Sequence, residues 1–281
     1  MNQSSVKRRE FIGGSMGVIT GSSFIDFNLS KIKNGVLRYL GLSPSYDSIN
    51  ITVFQTDRLA DFNEAYRGEM HSLNLSKIYL ERELKKLSDK SDFSVNVHIS
   101  NKYIPINSII SEDKEETLDN WRDYFSNNIT DSEKSRDSNI LLTKRNSDNI
   151  NTRGFGEYPC GCRDRSTVGI TFNADTMAYL TQSRIKESSE RSFMEQSLTT
   201  LIHEVGHNIG FTHDMGYAWH DEESNTIKVT PMMSDYYRNE YSGKTNKYGD
   251  TIVDRKEVNT PFVDYTLSLN SKITHTDVQY E

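Results

Sequence analysis

One segment restricts this 281-residue chain more than any other: His203-Glu204-Val205-Gly206-His207-Asn208-Ile209-Gly210-Phe211-Thr212-His213-Asp214. The chain holds 7 histidines, so three at fixed offsets arise by chance in ~0.4% of such chains. Requiring Glu204, Gly210 and Asp214 as well lowers this to roughly one in a million. On a helix, His203 and His207 stand one turn apart on one face and reach the same ion. Glu204 points about 100° round the helix, where it meets a water on that ion without taking a coordination position. A helix cannot supply a third ligand at the right angle, but a turn at Gly210 brings His213 back. Three neutral imidazoles and one water make an open tetrahedral zinc site of the catalytic kind. Zinc lowers the pKa of a water toward ~7 and polarises a carbonyl. Glu204 is then the general base that takes the water's proton and passes it to a leaving amine.

The surrounding sequence supplies the helix. Leu198, Leu201, Ile202, Val205 and Ile209 form an apolar stripe over 193–209. Ser192 and Glu195 have capping-box spacing at its start, and Gly210 suits a left-handed stop. Upstream, 49–54 and 93–99 alternate as half-buried strands. The stretch from Phe62 to Leu87 reads as one long helix, and Thr117–Phe125 as a short one burying Leu118, Trp121 and Phe125. Asn139–Thr143 and Val168–Phe172 read as further strands, with the glycine-bearing stretch between them as loop. The expected class is α+β: a mixed twisted sheet, a long backing helix, an active-site helix, and a smaller C-terminal subdomain after the zinc motif.

H-E-x-x-H-x-x-G-x-x-H resembles the metzincin clan of zinc metallopeptidases, and the closing His213-Asp214 resembles its adamalysin/reprolysin branch. The segment Cys162–Ile170 is similar to the strand before that branch's active-site helix. The resemblance makes Val168, Gly169 and Ile170 an edge strand that pairs with extended substrate. It also implies a methionine turn beneath the histidines, here at Pro231-Met232-Met233-Ser234. Met233, preceding Ser234, is the expected turn residue, with Met232 the alternative. Astacin-like and serralysin-like relatives carry a tyrosine two positions after that methionine; here the position holds Asp235 or Ser234. Tyr236 and Tyr237 are therefore expected to line the substrate pocket or pack beside it. The implied activity is a zinc-dependent endopeptidase with one catalytic Zn2+; a structural Ca2+ is left open, without a sequence signal. Two other readings stand beside it: an inactive metzincin scaffold used for binding or adhesion, and a zinc amidohydrolase acting on a non-protein amide. Retention of Glu204 argues against the first of these.

Composition narrows the remainder. With 33 basic and 40 acidic residues the net charge is -7, which argues against a general nucleic-acid binder. Protein or peptide is the expected partner of a monomeric chain. Two cysteines exclude a disulfide scaffold and a four-cysteine zinc module. Cys160 and Cys162 are open between a tight disulfide, free or intermolecular thiols, and inhibition of the zinc by one thiolate. Lys7, Arg8 and Arg9 followed by a mild apolar stretch resemble a twin-arginine export signal. That implies a prokaryotic source, an extracellular or cell-surface location, and membrane contact only through a retained N-terminal segment. The expected division is 1–26 signal, 27–46 linker and 47–281 peptidase domain, its upper part about 47–210 and its lower part about 211–281. His220 is a weak candidate for supporting the ligands. The stretch 242–281 carries no recognisable motif.

Overall fold

The alternating stretch near residue 50 forms strand β1 (Ser48–Thr56). It sits between two parallel neighbours, β2 (Ser94–Ile104) and β3 (Ser138–Leu142). The computed structural model describes residues 48–66, 72–87, 94–111, 113–144, 154–157, 166–179, 193–234, 236–258, 260 and 263–278. All of them belong to one unit, Tyr46–Glu281. The sheet is completed by β4 (Gly154–Gly156) and β5 (Val168–Thr171), in the order β2-β1-β3-β5-β4. β5 runs parallel to β3, and β4 runs antiparallel to β5. Two expectations change here. The glycine-bearing stretch contains a strand, and the edge of the sheet is β4. Val168–Ile170 is interior, laddered on both sides, so it is not the strand expected to receive substrate.

Both faces of the sheet are covered, as a largely parallel sheet requires. One face carries α1 (Asp57–Tyr66), α2 (Ser72–Lys85) and α4 (Phe193–Asn208); the other carries α3 (Lys114–Asn128). The single helix expected over 62–87 is therefore two, with 67–71 outside the described residues. Because β1 is covered from both sides, its residues from Ile51 on are all buried rather than half-buried. Ile49, Ile51 and Val53 face α2 and α4, where they meet Leu80, Leu84, Leu201 and Val205. Phe54 faces the other way, edge-on to Trp121 and Phe125 of α3 at centroid distances of 5.5 and 6.0 Å. α3 begins at Asp113, whose carboxylate accepts from the Glu116 N–H at 2.9 Å, satisfying one of the helix's orphan donors.

After α4 the chain builds a smaller sheet. β6 (Ala218–Asp221) and β7 (Thr226–Val229) form a hairpin, and β8 (Val263–Tyr265) runs parallel to β7. Its own core holds Ala218, Ile227, Val229, Met233, Tyr237 and Ile252. The largest core nevertheless crosses residue 210: Phe211, Met215, Met232, Leu269, Ile273 and Val278 pack with the residues of β1, α2 and α4. No helix among the described residues is long and apolar enough to cross a membrane.

Candidate metal centre

α4 carries the apolar stripe into the core, with Leu198, Leu201, Ile202, Val205 and Ile209 all fully buried. Its expected cap, Ser192, lies outside the described residues. The helix ends as the sequence predicts. Gly210 has φ 93°, and the N–H groups of Gly210 and Phe211 donate to the carbonyls of His207 and Gly206 at 2.9 and 2.7 Å. This paired closure is a Schellman turn. It sends the chain back toward the helix, where a short 3-10 turn, His213–Met215, presents the third histidine.

The three imidazoles converge. His203 Nε2 and His213 Nε2 lie 2.9 and 3.0 Å from His207 Nε2, and the ligand atoms of all three fall within 4.8 Å of one another. Tautomers follow from the far side of the rings. His203 Nδ1 donates to the Pro231 carbonyl at 2.7 Å, and His207 Nδ1 donates to the Phe211 carbonyl at 2.9 Å. A carbonyl only accepts, so in both rings the proton sits on Nδ1 and Nε2 bears a bare lone pair. Burial and the neighbouring His203 hold the pKa of His207 down to about 2; burial first, and His203 next, hold His213 down to about 4. Lone pairs aimed at one another inside a protein repel unless a cation lies between them. Around a tetrahedral zinc with bonds of about 2.0–2.1 Å, adjacent nitrogens stand about 3.3 Å apart, a few tenths more than here. The donor set therefore fits zinc.

Glu204 leaves the helix on another side, toward the sheet edge. β4 lies against it so closely that a Cβ on Gly154 would stand 2.8 Å from Glu204 Cγ, and one on Gly156 would stand 2.5 Å from the Glu204 carbonyl. The two glycines let the backbone approach. Burial pushes the Glu204 carboxyl well above the usual range.

The floor of the site corrects one expectation. Met232, not Met233, lies under the ligand helix: a Cβ on Gly206, between the two helical histidines, would sit 2.6 Å from Met232 Sδ. Both methionines belong to the 3-10 turn Pro231–Met233, in which successive side chains diverge by about 120°. Met232 consequently enters the main core and Met233 the smaller one. Tyr236 stacks on His213 with centroids 3.5 Å apart and rings inclined by 22°, and runs nearly parallel to His203 at 6.3 Å. Tyr237 is fully buried, its hydroxyl accepting from Arg238 Nε at 2.9 Å and Arg255 Nη1 at 3.3 Å, so it does not line a substrate pocket. Val168 and Ile170 are likewise buried, in the core beneath α3. His220 lies on the β6–β7 hairpin, bonded to Asn225 and outside the histidine cluster. Cys160 and Cys162 fall outside the described residues.

A helix bearing two convergent histidines and a buried glutamate, closed by a glycine turn that returns a third histidine, has the layout of a metallopeptidase centre. Comparison with protein families agrees. Residues 79–214 match the model of the reprolysin-like metallopeptidases of family M12B, a stretch that runs from α2 through His213 and Asp214. No curated protein matches the chain. Among solved structures, metalloproteinase-II from Bacteroides fragilis is similar at 17% identity over 61% of this chain, with a TM-score of 0.39. The chain spans 45% of the length of that protein. A chaperone-substrate complex is similar at 14% identity over 85% of this chain and 36% of that one, with a TM-score of 0.37.

Proposed function

We propose that the chain is an exported zinc-dependent endopeptidase of the metzincin type. The observation that carries this reading is the convergence of three imidazole Nε2 atoms near a buried carboxyl on the helix that bears two of them. His203, His207 and His213 would hold the zinc, and Met232 would support their helix from below. Bound zinc supplies a Lewis acid that activates water and polarises the carbonyl of a peptide bond. Glu204 is the proton carrier. It would take a proton from the water and deliver it to the departing amine. β4 walls the Glu204 side of the site, and Tyr236 borders it at His213.

The test is proteolysis of a denatured protein substrate alongside measurement of bound zinc. One zinc per chain is expected, with cleavage abolished by a zinc chelator. Glu204→Gln should keep the metal and lose activity by about 10²–10⁴-fold. Full cleavage by that variant would overturn the assigned role of Glu204. Activity on small amides but on no peptide would move the reading to a non-protein substrate. Export rests on Arg8-Arg9-Glu10-Phe11-Ile12 and is tested separately: replacing both arginines by lysine should retain the protein inside the producing cell.

A further inference from the structure

His213 is the ligand with the least direct support. The helical histidines are each anchored by Nδ1 to a backbone carbonyl. Among the described residues no hydrogen bond reaches His213 Nδ1; the ring is held by the Tyr236 stack and by the loop that carries it. That loop has three successive carbonyls after the histidine, and all three are taken by a distant part of the chain. The Lys247 N–H donates to Asp214 O at 2.8 Å, Asn270 Nδ2 donates to Met215 O at 3.1 Å, and Asn246 Nδ2 donates to Gly216 O at 3.1 Å.

The two asparagines share a design. Each side-chain oxygen caps a local turn: Asn246 Oδ1 accepts from the N–H groups of Tyr248 and Asp250 at 3.0 and 2.8 Å, and Asn270 Oδ1 accepts from Lys272 N–H at 3.1 Å. Each side-chain nitrogen reaches back to the His213 loop. Both are buried, at 5% and 7% exposure, so each bond is made away from competing water. On its other side the loop has no room to move: a Cβ on Gly216 would stand 2.6 Å from the Met233 nitrogen.

We propose that Asn246 and Asn270 are positioning residues that preorganise His213 for the metal, so that these two side chains tune the zinc affinity of a site whose ligands all lie before them. The proposal rests on the zinc reading of the three histidines. Removing one supporting contact around a metal ligand costs about 10–100-fold in affinity.

Asn246→Asp and Asn270→Asp test it: each keeps the turn-capping oxygen and removes the donor, at 246 together with the Asn246 Nδ2 contact to Asp250 Oδ2 at 3.3 Å, and the serine variants control for the buried charge that aspartate adds. Zinc dissociation constants come from chelator competition, with the thermal midpoint of the metal-free protein measured beside them. Each variant should bind zinc about 10-fold or more weakly than the parent, and the metal-free midpoint, which the buried charge lowers for aspartate, should fall less for serine at the same loss of affinity. In a His213→Ala background the same substitutions should leave the remaining zinc affinity unchanged, a result that a general loss of structure would not give. If an aspartate variant fails to fold, the serine variant at that position carries the same expectation, since its hydroxyl keeps the turn contact and is too short to reach the loop. Parent-like zinc affinity in the folded variants overturns the proposal. So does an equal loss of affinity with and without His213. A parent protein that binds no zinc overturns the reading of the site itself.

Discussion

Gly206→Ala sets two known effects against each other at one atom. In an open helix interior the change from glycine to alanine stabilises by about 1 kcal/mol. Here the new methyl would stand 2.6 Å from Met232 Sδ and 3.3 Å from both Met232 Cε and Phe211 Cδ2. Ordinary contact needs about 3.5–4.0 Å, so the end of the Met232 side chain must move by about 1 Å. Met232 and Phe211 are fully buried, so any retreat is into the packed core. Overpacking of this kind costs about 1–3 kcal/mol. The expected balance is a loss of up to about 2 kcal/mol, a fall of a few degrees in the thermal midpoint for a domain this size. The affinity for zinc falls further, because His203 and His207 flank the substituted residue. Thermal unfolding of metal-free protein and chelator competition read the two effects separately. A paired variant sharpens the test. In a Met232→Ala background, which empties the space below, Gly206→Ala should stabilise by the usual helix increment. A rise in the midpoint with Met232 intact would refute the overpacking argument.

Trp121→Ala should cost about 3–5 kcal/mol, read by urea unfolding, because the ring is fully buried against Phe54 and Phe125. Zinc stoichiometry should be unaffected in the fraction that folds, as α3 lies on the opposite face of the sheet from α4. Gly156→Ala would drive a methyl into the Glu204 backbone, where neither strand nor helix can yield locally; kcat should fall while bound zinc stays near one per chain. Acid should weaken the metal-free protein through its histidines. His213 titrates at about 4 when folded and 6.5 as a free group, so the unfolded chain takes up the proton first. Its contribution is complete above pH 6.5 and is lost as pH falls toward 4. Glu204, raised by burial, acts with the opposite sign above 4.5, so the comparison belongs in a Glu204→Gln background. There, acidification from pH 7 to 5 should cost on the order of 1 kcal/mol more with His213 present than with His213→Gln, after allowance for its partial exposure. Equal losses would refute this.

The metal centre is readable from sequence because its chemistry is periodic. His203 and His207 lie one turn apart, Gly210 marks the stop, and the buried stripe shows which way the helix faces. The sheet edge is harder to read. β4 has three residues, two of them glycine, and so no alternation to detect. The signal it does carry is the glycine pair itself, since glycine within a strand marks close approach of another backbone. Choosing between Met232 and Met233 needs the rotation of a 3-10 turn, which neighbouring identical side chains cannot reveal. The apolar period of 62–87 runs on through Gly68, the one breaker that hinted at two helices. Asn246 and Asn270 sit in polar stretches that read as loop, and their reach toward residues 215 and 216 is a tertiary fact with no local trace.

That reach orders events in time. In synthesis His213 is joined to the chain before Asn246 and Asn270. Tyr79 and Leu87 then await Leu267 and His275, whose carbonyl and N–H close the late segment onto α2. Until Asn246, Lys247 and Asn270 arrive, the carbonyls of Asp214, Met215 and Gly216 lack the partners they have in the finished fold. The loop that bears the third histidine is thus closed only by residues made after it.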